Sequence, residues 1–222
     1  MANFKLFIGN KAYSSWSLRA WLALEHTGAA YEEVVIPLEG PGTRTTAIRE
    51  HSPSGKVPSL RHGDLVVWDS LAICEYLAEL FPNAKLWPDD AATRAVARAV
   101  SAEMHSGFAA LRSLMTMNVR RDPITLPATP EVSGEIARII AVWNDCRSQY
   151  GKGGPFLFGR FSIADAMYAP VAVGRFRTYG VPLDDTSQAY VEAVCALPSV
   201  RKWVEGAKRE TWQIEAYENV GK

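Results

Sequence analysis

Apolar residues recur along this chain with two different periods, and the change comes near residue 85. Residues 4 to 9 (FKLFIG) and 31 to 38 (YEEVVIPL) are short apolar runs, which predicts strands. The stretch from Ser15 to His26 between them is helical in pattern, so the chain opens as a β-α-β unit. A Pro/Gly-rich connection, EGPGTRT, leads to a short helical stretch, TTAIREH. The runs VPSLR and LVVWD, separated by His62 to Asp64 around Gly63, predict a hairpin, and a helix from Ser70 to about Leu80 follows it.

Pro82, Asn83, Pro88, Asp89 and Asp90 mark a linker. Beyond it every periodic segment is helical. Ala92, Val96, Val100, Met104, Phe108, Leu111 and Met115 recur every three or four residues, which predicts one long helix with one buried face. Ile136, Ile139, Ile140, Trp143 and Tyr150 predict a second. A third, from Ile163 to about Phe176, is apolar almost all round and should be the buried centre of a bundle. Helical stretches at 187–196 and 199–208, separated by Leu197 and Pro198, precede the tail ETWQIEAYENVGK. The pattern therefore divides the chain into an α/β domain over 1–83, a linker over 84–90 and an all-helical domain over 91–222.

Charge narrows the partner. Lys plus Arg and Asp plus Glu both number 24 in 222 residues, so no net field recruits nucleic acid or anionic lipid, and a small ligand is the better expectation. No stretch approaches the roughly 20 apolar residues of a membrane span. The N-terminus, MANFKLFIGN, lacks the order of a secretory signal, and a cytoplasmic protein is expected. Cys74, Cys146 and Cys195 form no C-x-x-C pair or zinc spacing and read as small buried hydrophobes. His26, His51 and His62 have no metal spacing, and no G-x-S-x-G elbow surrounds Ser14 or Ser15. Neither a metal centre nor a serine-hydrolase triad is supported.

Four short motifs remain. Lys11 to Trp21, KAYSSWSLRAW, sets two adjacent serines at a helix start, where hydroxyls cap orphan N–H groups. In Lys56-Val57-Pro58 the proline holds Val57 extended, either as an edge strand or as the partner of an extended peptide. Asp69-Ser70 opens a helix, either as simple capping or as a seat for a ligand carboxylate with Asp69 on a ligand ammonium. Ser162-Ile163-Ala164-Asp165 has the S-x-x-D form of a capping box and reads as structural, with Asp165→Ala costing about 1 kcal/mol.

Taken together, and in this order along nearly the whole chain, these motifs resemble the glutathione S-transferase superfamily. The resemblance implies a thioredoxin-like first domain of β-α-β-α-β-β-α plan followed by an all-helical domain, with Pro58 in a cis peptide bond. It implies glutathione as co-substrate and no metal. Val57 would pair with its cysteinyl backbone, Asp69 and Ser70 would hold its γ-glutamyl end, and Lys56 would help bind the peptide or its glycyl carboxylate. Ser14 would donate to the sulfur, with Ser15 securing the helix start or acting as alternate donor, and Tyr13 is a competing donor. The paired serines followed by Leu18-Arg19 look like the zeta class and its maleylacetoacetate isomerase-like bacterial members, whose pattern continues with Cys where Trp16 stands. Tyr13, Trp16, Met104, His105, Phe108, Arg112 and, in the tail, Trp212 are candidates for the electrophile site. The family implies a homodimer and a glutathione transferase acting on a small electrophile or peroxide. An isomerase or disulfide reductase is one alternative, and a non-catalytic binding protein of the same fold is another. The energetic demand is modest: only about 3% of a free thiol is ionised at pH 7, and lowering its pKa by roughly two units needs about 2.7 kcal/mol. One hydroxyl bond to a charged acceptor supplies roughly 1.5–3 kcal/mol and a helix N-terminus about 0.3–1 more.

Overall fold

The computed structural model describes residues 4–39 and 46–221. β1 (Phe4–Ile8) and β2 (Tyr31–Val35) are parallel neighbours, joined through α1 (Ser15–Thr27), the crossover a parallel pair requires. Leu6 and Ile8 are fully buried, while Lys5 on the alternate face bonds to Glu32, its partner in the register, at 2.7 Å. Most of the EGPGTRT connection, at 40–45, lies outside the described residues; TTAIREH yields one turn, α2 (Thr46–Arg49). β3 (Ser59–His62) and β4 (Leu65–Trp68) form the expected hairpin, and the sheet order is β2-β1-β3-β4. α3 (Ser70–Leu80) packs beside α1, and both share a core with Phe4, Leu6, Ile8 and Leu60. Ile48 of α2 covers Phe7 and Ile36 on the other side of the sheet. The first domain is thus thioredoxin-like, with helices on both faces.

Residues 84–90 do not run free between the domains. Leu86 and Trp87 are buried, the Trp87 indole N–H donates to Glu75 of α3 at 3.0 Å, and the Leu86 carbonyl accepts the Ile163 N–H at 2.9 Å.

The predicted long helix is two helices, α4 (Ala91–Ser106) and α5 (Ala109–Leu114). The apolar spacing through Val100, Met104, Phe108, Leu111 and Met115 does bury all five, but Gly107 is extended and Phe108 is left-handed at φ 60°. Tertiary groups supply the caps that make the break tolerable. The Glu135 carboxylate accepts the Ala110 and Leu111 N–H groups at the head of α5, and Arg112 donates to the Met104 and His105 carbonyls at the end of α4. Periodicity read the burial correctly from Val100 onward but not at Ala92, which is exposed, or Val96, which is half-buried, and it read the continuity wrongly.

Glu135 lies on α6 (Pro130–Tyr150), the second predicted helix. α7 (Ile163–Val171) is buried on every side, as expected, and packs against α4 and α1, so it joins the domains. It continues to Phe176 as a π turn rather than α-helix, after Pro170 has removed one N–H from the ladder. α8 (Asp185–Ala196), α9 (Pro198–Arg209) and the single turn α10 (Glu215–Glu218) complete the chain. The capping box at Ser162 is formed: Asp165 accepts the Ser162 N–H at 2.8 Å and the Ser162 hydroxyl at 2.9 Å, and also the Leu157 N–H at 3.0 Å. That carboxyl is wholly buried, and burial pushes its pKa up to about 6. It is more than a helix cap, because it also ties down the incoming loop.

Candidate functional site

The strand registers bring three of the four motifs to one end of the sheet. Phe7 pairs with Ser59, and Ser59 with Trp68, so the loop after β1, the start of β3 and the end of β4 are neighbours. These carry Ser14 and Ser15, Val57 and Pro58, and Asp69 and Ser70 respectively.

At the head of α1 the N-cap is Ser14, not Ser15. The Ser14 side chain accepts the Ser17 N–H at 3.4 Å and its hydroxyl donates to the Ser17 Oγ at 2.7 Å, which itself accepts the Gly9 N–H at 3.0 Å. Ser15 is the first helical residue, and its hydroxyl has no partner among the described residues. Ser14, and not Ser15 as expected, therefore secures the helix start, since only Ser14 has the non-helical backbone a cap requires.

The Val57–Pro58 peptide bond is cis. No hydrogen bond among the described residues takes up the Val57 N–H or C=O, because β3 begins only at Ser59. Lys56 beside it is exposed.

Asp69 caps α3, accepting the Leu71 N–H at 2.9 Å and the Ala72 N–H at 3.3 Å. Its φ of 73° lies where a side chain is strained, at about 1–3 kcal/mol, and such residues gather at ligand clamps. Its second oxygen lies 3.2 Å from the Nε2 of His105. Burial, helped by Arg19 and Arg112, lowers the His105 pKa against the pull of Asp69. Ser70 is buried, and its hydroxyl finds no partner among the described residues. A helix head with an orphaned hydroxyl and an adjacent carboxylate can seat an amino-acid end, carboxylate on the hydroxyl and ammonium on Asp69.

Above these groups the two domains together form a cationic cluster. The guanidiniums of Arg19 and Arg112 lie over the Trp16 indole, 4.4 and 4.7 Å from its centre, and the His105 ring meets it edge-on at 5.1 Å. Arg175, from the π turn after α7, stands close enough to act on both arginines electrostatically. Arg19 and Arg175 are buried, Arg112 is partly so, and none of the three has a carboxylate in salt-bridge range among the described residues. Burial lowers all three, with the neighbouring guanidiniums adding to the effect on Arg19 and Arg175, and Arg175 falls to about 10. They nevertheless stay charged at neutral pH. Among the described residues no group of His, Cys, Asp and Glu could hold a metal ion.

A model of the glutathione S-transferase N-terminal domain matches residues 13–80, and one of the glutathione S-transferase C-terminal domain matches residues 126–206. The chain belongs to the glutathione S-transferase superfamily. It is 35% identical over 105 residues to a probable maleylacetoacetate isomerase of Caenorhabditis elegans, a match covering 47% of this chain and 48% of that protein. It is 27% identical to glutathione S-transferase L2 of Arabidopsis thaliana over 90% of this chain and 60% of the plant protein, and 25% identical to the plant's Z2 protein over 90% and 93%. The chain thus spans only about half to 60% of the first two relatives. Among solved structures, a Burkholderia glutathione transferase homolog with bound glutathione superposes with a TM-score of 0.70 at 23% identity, covering 94% of this chain and all of that one, which establishes the shared fold.

Not every candidate residue of this superfamily member reaches the cluster. Trp16, His105 and Arg112 do; Met104 and Phe108 belong to the hydrophobic core, Met104 without any exposed surface. Tyr13 is withdrawn as a competing donor, since its hydroxyl donates to Glu218 and accepts from Arg120. Burial and that bond to Glu218 raise its pKa further. Trp212 is exposed in the tail. Arg19 and Arg175 were missed as site residues, although each is a lone cation within an apolar helical run, where an unpaired charge is rare. Cys74 and Cys146 are buried and inert, and burial pushes the Cys146 thiol up to about 12; Cys195 is only partly buried. It lines a cavity of about 660 Å³ with Phe176, Leu183 and Val191, a space no candidate residue touches. No helix among the described residues is long and apolar enough to cross a membrane.

Proposed function

We propose that this chain is a glutathione transferase that binds glutathione across the heads of α1 and α3 and uses its thiolate against a small electrophile or peroxide. The observation that carries the reading is the buried, unpartnered Ser70 hydroxyl at the head of α3, next to Asp69. In this reading the γ-glutamyl carboxylate takes Ser70 and the helix N-terminus, and the ammonium takes Asp69. The cysteinyl backbone adds as a strand to the free N–H and C=O of Val57, and Lys56 meets the glycyl carboxylate. Ser14 turns its hydroxyl from Ser17 toward the sulfur while Ser17 keeps its bond from Gly9, and Ser15 is the alternate donor. Calorimetry with reduced glutathione tests this directly. Absence of binding at millimolar concentration would leave only a non-catalytic protein of the same fold.

The electrophile we assign to this site carries a carboxylate, since Arg19, Arg112 and Arg175 present buried donors with no protein anion to meet them. The same donors favour a second reading, glutathione-dependent isomerisation of a maleyl-type acid in which glutathione returns unchanged, and the relative named as a maleylacetoacetate isomerase supports it. Turnover of aryl halides, peroxides, mixed disulfides and maleyl acids, compared in one panel, separates transferase, reductase and isomerase. A homodimer belongs to the same proposal: Leu65 and Trp68 of β4 and Leu80 of α3 are large exposed apolar residues that a second subunit would cover. Sedimentation at a monomer mass would overturn it.

A further inference from the structure

The segment that carries the serines is held mainly by the second domain. The Glu210 carboxylate accepts two successive backbone N–H groups, from Lys11 at 2.6 Å and from Ala12 at 3.0 Å. The Lys11 carbonyl accepts the Trp203 indole N–H at 2.9 Å, and the Ala12 carbonyl accepts the Val119 N–H at 3.2 Å. Both backbone polar groups of both residues are therefore occupied by residues far away in the chain, which leaves this turn little freedom. The turn then passes straight into the serines, because the Asn10 carbonyl accepts the N–H groups of Tyr13 at 3.1 Å and Ser14 at 2.8 Å. Glu210 is in turn fixed by its place, the first residue after α9, and by its carbonyl, which accepts from Arg120 at 2.6 Å.

Resting on the reading that Ser14 contacts the glutathione sulfur, we propose that Glu210 is a positioning residue: its carboxylate, from the helical domain, sets where the serine hydroxyl stands. Two oxygens on two adjacent N–H groups define the orientation of a turn as well as its distance, which one hydrogen bond does not do. The glutathione-binding groups at Val57, Asp69 and Ser70 lie on other loops with their own supports, so the clamp governs the sulfur end of the ligand and not its affinity. The demand for accuracy is high, since a misplacement of about 1 Å at a reacting group costs on the order of 100-fold in rate.

The test is Glu210→Gln, whose amide keeps one acceptor oxygen and turns an NH₂ toward the other N–H. Thiolate absorbance of bound glutathione against pH should show the thiol pKa raised in the variant, and kcat should fall about 10-fold or more while KM for glutathione stays within about twofold. Partial unfolding alone would lower kcat through the active fraction and leave the pKa of the bound thiol where it was. An unchanged pKa and kcat, with wild-type protein ionising glutathione normally, would overturn the positioning role while leaving the function intact. Wild-type protein that fails to ionise bound glutathione would overturn both. Amide exchange provides a readout that needs no activity: the Lys11 and Ala12 amides should exchange faster in Glu210→Gln, and equal protection in both proteins would refute the clamp.

Discussion

Replacing Ser70 by Ala should make the free protein more stable and its glutathione complex weaker, a pair of opposite signs that a structural hydroxyl cannot produce. The hydroxyl is buried and unpartnered in the free chain, and a buried hydroxyl without a hydrogen bond costs roughly 1–3 kcal/mol in proteins. Ala also suits the first turn of a helix, and the cap itself is unaffected, because Asp69 and not Ser70 holds the Leu71 and Ala72 N–H groups. A gain of about 1 kcal/mol is expected, or about 2–4 °C in Tm for a chain of this length. In the complex the hydroxyl meets a carboxylate, and losing that bond costs about 1.5–3 kcal/mol, so affinity should fall roughly 10- to 150-fold. Scanning calorimetry of the free variant and titration calorimetry with glutathione, on one preparation, give both numbers. A lower Tm with unchanged affinity would mean that the hydroxyl serves the fold, and the placement of the γ-glutamyl carboxylate would be wrong.

Ser14→Ala should raise the pKa of bound glutathione by up to about two units, read as thiolate absorbance, and Ser15→Ala should raise it less; a rise confined to Ser15→Ala would transfer the sulfur contact to the first helical residue. Arg112→Met should lower kcat/KM for a carboxylate-bearing electrophile at least about 10-fold more than for a neutral aryl halide. Taking the ratio within one variant cancels any loss of stability from the freed Met104 and His105 carbonyls, and a ratio equal to wild type would refute the anion site. Asp165 has a pKa raised from 3.8 to about 6 by burial, so the folded state binds its proton more tightly than the unfolded chain does. Its contribution is complete below about 3.8 and lost as pH rises through about 6, which amounts to about 3 kcal/mol. Urea unfolding of wild type and Asp165→Asn from pH 4 to 7 should show the wild type losing that advantage, and a pH-independent difference would contradict it.

Local chemistry made the elements and half of the site legible. The serine pair at 14 and 15, Asp69-Ser70 and Ser162 could be read as helix starts because a capping side chain acts on backbone two or three residues away, although the expected cap is Ser15 and the structure puts it on Ser14. The break between α4 and α5 could not, because Gly107 interrupts an unbroken apolar spacing and the groups that cap the break, Glu135 and Arg112, act only after folding. Tyr13 stands as a competing donor in the sequence for the same reason: Glu218, which accepts the hydrogen bond from its hydroxyl, is 205 residues away in the chain.

The arginines show why such a site is hidden until the domains meet. Arg19 lies one turn into a helix otherwise lined by Leu18, Ala20, Trp21 and Leu22, and within that helix only the Trp16 indole face meets it, with no carboxylate in salt-bridge range. Of the eleven buried side-chain nitrogen and oxygen atoms without a partner among the described residues, five are donors on Ser70, Arg19, Arg112 and Arg175. Native proteins leave few such groups, so their concentration around Trp16 and the head of α3 is informative in itself. A cluster in which donors and positive charge predominate selects what enters by what it lacks: acceptor oxygens and negative charge. A neutral apolar electrophile could fill the space but would leave the three guanidiniums without a counter-anion. A carboxylate removes that cost at the moment of binding, which is why the charge of the substrate, more than its shape, should decide what this site accepts.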